Sequence, residues 1–160
     1  MAYFGAVAVI LAAYMTWRMY SEALFCELDL CKRLLLALTD YRDKVKCYMD
    51  TPKKWAAEYC DDKLSRCSFL PHLAGGGDFK SAYGRLKTSM TVSDGVDSAL
   101  SECFGRLGEG YLDTELEILN AAIGKLEVEE VRMTEAFCGK KKAVGAMLGA
   151  VASGIVILAI

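Results

Sequence analysis

Three groups of residues have types and spacings that invite chemistry. Gly75-Gly76-Gly77-Asp78-Phe79-Lys80-Ser81 sets three glycines ahead of a lysine and a serine, the components of a phosphate-binding loop. Such a loop needs a glycine directly before the lysine, so that backbone N–H groups can wrap the phosphate, and a strand leading into it. Phe79 holds that place and no strand pattern precedes it, so the segment does not read as a nucleotide site. Cys60, Cys67 and His72 could be arranged around zinc, with both thiols on one face of a predicted helix. Metal clamps use ligands two to four residues apart, and no fourth ligand is evident, so buried thiols beside a loop histidine is the better reading. Glu127, Glu129 and Glu130 offer paired carboxylates. A solvated helix face accounts for them, with Glu130 partly buried and ion-paired to Lys32 or Arg33 of a facing helix. No catalytic, cofactor-binding or metal-binding residue is assigned, and enzymatic activity and a small-molecule substrate are not expected.

The elements that carry these residues are helices of two kinds. The 160 residues are 54% hydrophobic and 25% charged, a combination that requires the apolar residues to be concentrated in places. The net charge of −2 gives no basic footprint, so nucleic acid is not an expected partner. Seven scattered cysteines with no C-x-x-C pair do not form a disulfide framework and fit a reducing compartment.

No charged side chain occurs between Met1 and Trp17, or between Ala143 and Ile160. Each stretch approaches the length needed to span a ~30 Å hydrocarbon core, and both are expected to be transmembrane helices. A cleaved signal peptide is the rival for the first, but no Lys or Arg precedes its apolar core. Arg18 after the first span and Lys140, Lys141 and Lys142 before the second place residues 18–142 on the cytoplasmic side. Gly145, Gly149 and Ser153 form a row of small residues that would let membrane helices pack closely.

Between the spans, Leu24, Leu28, Cys31, Leu35, Leu38, Val45 and Met49 recur in alternating steps of four and three, with Arg42 in the missing slot. Leu112, Leu116, Leu119, Ile123, Leu126, Met133 and Phe137 repeat the pattern, with Glu130 in the missing slot. Neither segment contains proline, and each is expected to run unbroken into its membrane helix. The spacing predicts an all-α fold: an antiparallel helical bundle over residues 18–142, flanked by spans at 1–17 and 143–160. Thr51-Pro52 predicts a capped helix start running to about Cys67, then a loop over Phe69–Asp78, a helix over Phe79–Met90, and another from Ser93-Asp94 to about Leu107.

The order of these parts resembles the stage III sporulation protein AB family. Tyr48-Met49-Asp50-Thr51-Pro52-Lys53-Lys54-Trp55-Ala56 is similar to that family's tyrosine-glycine-x-threonine-proline-leucine-x-x-alanine stretch. Met90-Thr91-Val92-Ser93-Asp94-Gly95 looks like its threonine-valine-x-aspartate helix start, and Gly105-Arg106-Leu107-Gly108 like its threonine-leucine-glycine segment. Met49 and Lys53 depart from the family's glycine and leucine. The resemblance implies a platform subunit of the channel complex between mother cell and forespore. It would sit in the mother-cell membrane around the forespore, with a cytoplasmic domain similar to F-type platform subunits of type II secretion and type IV pilus machines. The implied partners are the complex's cytoplasmic ATPase and its other membrane components. The alternative is a membrane-anchored helical scaffold or adaptor unrelated to sporulation. In either case the far end of the long helices is expected to gather Asp50, Lys53, Lys54, Glu109 and Asp113 with an exposed ring of Trp55 or Tyr111, a surface suited to a cytosolic partner.

Overall fold

The computed structural model describes residues 2–107 and 111–159, without the side chains of residues 2–10, 13, 141, 145 and 148–159. Every regular element among them is helical: α1 Ala2–Tyr48, α2 Pro52–Glu58, α3 Asp62–Arg66, α4 Phe69–Ala74, α5 Phe79–Ser89, α6 Asp94–Arg106 and α7 Leu112–Ala159. The chain divides into two units. One comprises residues 1–28 and 132–160, the other Asp29–Val131. The all-α class and the two unbroken long helices follow the sequence pattern. Among the described residues no helix is long and apolar enough to cross a membrane. The expected spans at 1–17 and 143–160, and the Gly145, Gly149, Ser153 row, fall largely outside the residues whose side chains are described.

In the second unit α1 and α7 pair antiparallel. Lys32 meets Glu130 at 3.4 Å, and ten residues further along α1 the Arg42 guanidinium donates to Asn120 Oδ1, ten residues back along α7. The register therefore does not slip between these points. Leu38 and Val45 of the predicted stripe are buried, as are Leu119, Ile123 and Leu126 opposite. Cys31 is buried too, and its thiol points to the Leu126 carbonyl. Leu35 is only half-buried and Met49 lies outside the helix, 75% exposed, so the stripe is narrower than its spacing indicated. A second buried row, Leu30, Leu34, Ala37 and Tyr41, lies beside it. Tyr41 of that row packs on Trp55 and Phe79, which places the short helices against this flank of α1.

The short helices differ from expectation at two points. The helix from Pro52 stops at Glu58 and a new one starts at Asp62, because the Asp61 carboxylate accepts the Leu64 N–H and caps α3. Asp61 also receives Arg33 of α1 at 2.7 Å, so the break is pinned to the long helix. Residues 69–74 are helical, not loop. Pro71 sits in the first turn of α4, where its missing N–H would have had no intrahelical partner. The glycines then form the α4–α5 turn. Gly76 takes φ +89°, and a side chain at Gly77 would overlap the His72 ring. Asp78 caps α5 by accepting the Ser81 N–H. This is the structural use of the glycine-rich segment, and Phe79 is buried at its end.

Phe69, Phe79, Tyr83 and Phe104 join Tyr41 and Trp55 in one aromatic cluster that ties α1, α2, α4, α5 and α6 together, with Phe79 and Phe104 stacked at 5.2 Å. The Tyr83 hydroxyl donates to Asp97, and burial pushes its pKa above the usual tyrosine range. Glu129, read as part of a solvated face, is buried on α7 with its carboxylate against Gly95 in the first turn of α6. A carboxylate is stabilised at a helix N-terminus, and only a residue without Cβ leaves room for it there.

Candidate functional site

Of the residues expected to form a partner surface, Asp50, Lys53, Lys54 and Trp55 lie at the α1–α2 turn and in α2, whereas Tyr111 and Asp113 lie at the start of α7. The α1 helix ends at Tyr48, and the Met49 N–H donates to the Val45 carbonyl with Met49 at φ +52°. Left-handed backbone at a helix end favours glycine, because a Cβ crowds the following carbonyl. Thr51 caps α2 by accepting the Lys54 N–H, and Pro52 takes the first helical position. Asp50 is buried and accepts from the Lys54 ammonium at 2.6 Å.

Trp55 is not an exposed anchor. It is 1% exposed, its indole N–H donates to Asp40 at 2.8 Å, and its ring stacks on Tyr59. The spacing that puts Trp55 on the exposed side fails because Tyr41 and Phe79 enclose it from two other helices. Tyr111, in contrast, is 89% exposed, and Tyr48 and Met49 are also open to solvent. By the register of α1 and α7, Tyr48 and Met49 stand level with Asp113, which is exposed as well. Lys53 and Lys54 are exposed; Glu109 lies outside the described residues. The accessible members are thus Lys53, Lys54, Tyr111 and Asp113, and Tyr48 and Met49 are exposed at the end of α1 as well. Those last two belong to the missed part of the patch, and the departure of Met49 from glycine was its only signal.

The other candidates do not assemble. Cys60 is exposed in the α2–α3 break, Cys67 is buried at the far end of α3, and all seven thiols are free. Among the described residues no three His, Cys, Asp or Glu side chains come together as a metal site. His72 Nε2 is buried beneath Gly77 without a hydrogen-bond partner. Burial pushes the Cys103 thiol up to about 12 and the Cys31 thiol up to about 11, which makes both poor nucleophiles. Glu130 pairs with Lys32 as its position in the stripe predicts, whereas Arg33 turns to Asp29 and Asp61. Comparison of the chain with family models, with curated proteins and with solved structures finds no match.

Proposed function

We propose that this chain is a non-enzymatic platform subunit of the sporulation channel complex between mother cell and forespore. In this reading residues 1–17 and 143–160 anchor it in the mother-cell membrane, and its cytoplasmic helical unit engages the complex's ATPase. The observation that carries the reading is the turn after α1. The family stretch places tyrosine, glycine, threonine and proline in order. Here Tyr48 is the last helical residue, Met49 the left-handed one, Thr51 the cap and Pro52 the first residue of α2. The left-handed, cap and first helical positions favour the glycine, threonine and proline the family carries there. The start of α6 at Asp94 and the long antiparallel α1–α7 pair support the same reading.

The test is crosslinking of the full chain in sporulating cells, followed by identification of what is captured. Recovery of the cytosolic ATPase is expected, reduced by Lys53→Glu combined with Tyr111→Ala. Lys54 is left intact because its ammonium holds the buried Asp50. Capture of membrane proteins without any ATPase would replace this reading with the unrelated scaffold. Topology is checked with a membrane-impermeant thiol reagent on intact cells. Cys47 and Cys60 are exposed and should stay unlabelled if the unit faces the cytosol, whereas Cys103 is buried and reports nothing.

A further inference from the structure

In the first unit, α1 and α7 enclose a groove of about 390 Å³ walled by Trp17, Tyr20, Leu24, Phe137 and Val144, with Lys140 in its lining. A neighbouring groove of about 470 Å³ shares Trp17, Ser21 and Phe137 with it and is lined by Arg18 and Glu22, which pair with each other. The Lys140 ammonium donates to the Tyr20 hydroxyl at 2.9 Å and lies 5.2 Å from the centre of the same ring. Among the described residues no carboxylate pairs with Lys140 or with Lys142. An ammonium has three donors, and the tyrosine oxygen takes one of them. That oxygen accepts from Lys140 and keeps its own hydrogen to donate. An unneutralised cation and a free O–H therefore meet at an apolar, aromatic-walled groove.

We infer that this groove binds one anionic phospholipid, with its phosphate on the Lys140 ammonium and Tyr20 hydroxyl and an acyl chain along Trp17, Leu24, Phe137 and Val144. The chemistry is complementary in both parts: basic pockets between membrane helices on the cytoplasmic side hold anionic head groups, and Trp and Tyr rings settle at head-group level. A free phosphate would use the cation and leave the apolar walls uncovered. The inference rests on the reading that residues 1–17 and 143–160 lie in a bilayer.

The test uses the full chain in nanodiscs of phosphatidylcholine carrying a small, equal fraction of either brominated phosphatidylcholine or brominated phosphatidylglycerol. Trp17 is one of two tryptophans, the other is shielded in a core, and the Trp17→Phe chain provides the baseline. Quenching of Trp17 by the brominated phosphatidylglycerol should exceed that by the phosphatidylcholine by about fivefold, as expected for one lysine near an anionic head group. Lys140→Gln should equalise the two lipids, Tyr20→Phe should reduce the preference, and Lys142→Gln should leave most of it. Equal quenching in chains that have entered the nanodiscs would overturn the lipid site and leave the bilayer reading standing. Failure of the chain to enter lipid at all would overturn both.

Discussion

The two units differ in the partners their basic side chains take. In the second unit basic side chains are used to fasten helices to one another. Arg33 joins α1 to α3, Lys63 returns from α3 to Asp29 of α1, Lys87 joins α5 to α6, and Lys125 joins α7 to α6. Among the described residues of the first unit, Lys140 joins α7 to α1 through the Tyr20 hydroxyl, not a carboxylate, and Arg18 pairs with Glu22 one turn along its own helix. The apolar residues divide in the same way. Among the described residues every buried hydrophobic side chain except Leu28 belongs to the second unit. Leu11, Tyr14, Met15, Met19, Tyr20 and Phe25 of the first are exposed. The apolar core of the described residues thus lies in the second unit, and the apolar side chains described in the first are left largely open.

The contrast is broken most severely at Leu119, which is fully buried. Leu119→Asp should cost several kcal/mol and unfold the second unit, because it places an unpaired charge in its core. Val128→Asp, on the exposed side of the same helix, should shift stability by no more than about 0.5 kcal/mol. Denaturant melts of the two variants followed by circular dichroism make the comparison. Equal midpoints would remove Leu119 from the core.

Next in size is Trp55→Ala, expected to cost about 3–5 kcal/mol through the cavity it opens and the Asp40 hydrogen bond it deletes. A denaturant midpoint within error of the parent would show that Trp55 is a surface ring after all.

Acid should then weaken the second unit. Lys87 holds the Asp97 carboxyl below its ordinary range, with Tyr83 and Ser101 adding hydrogen bonds against the opposing effect of burial. Burial pushes Asp29 up, but hydrogen bonds from Lys63 and Arg33 outweigh it and hold it low as well. Below the unfolded carboxylate pKa of about 3.9 the unfolded chain binds more protons than the native one, so stability rises with pH there and is lost as pH falls through the folded values. The unfolding midpoint should therefore fall below about pH 4, and less steeply in Lys87→Gln. A midpoint unchanged down to pH 3 would contradict both assignments.

A small gain in stability is expected at Met49. Met49→Gly relieves the left-handed backbone and should raise stability by roughly 0.5–1 kcal/mol. A loss of stability would mean that the exposed methionine side chain makes a contact worth more than the strain.

What the sequence made legible followed from spacing. The stripes on α1 and α7 repeat over several turns, and a long repeat defines both the helix and the face it buries. The Lys32–Glu130 pair came from the same logic, since a charge in a stripe needs an opposite charge at its height. Contacts at long range did not show. Leu30, Leu34, Ala37 and Tyr41 lie beside the stripe, and for Tyr41 the rings of Trp55 and Phe79 on short helices contribute the packing. Trp55 follows a capped turn and reads as surface until Tyr41, Phe79 and Asp40 are brought to it. The α2–α3 break has no glycine or proline to announce it, only Asp61 acting as a cap. Pro71 carried the opposite error, since proline disrupts a helix interior but not a first turn.

The placement of two buried rows on α1 also orders the making of the molecule. A chain synthesised from its N-terminus completes α2 to α5 well before α7 exists. The Leu30, Leu34, Tyr41 flank of α1 can then be covered by the aromatic cluster while Cys31, Leu38 and Val45 still lack the helix that buries them. The newborn domain therefore has a half-dressed helix with one greasy edge in the open, waiting for α7. Its vulnerability to aggregation or proteolysis is concentrated in that interval and ends when Leu119, Ile123 and Leu126 close over the row.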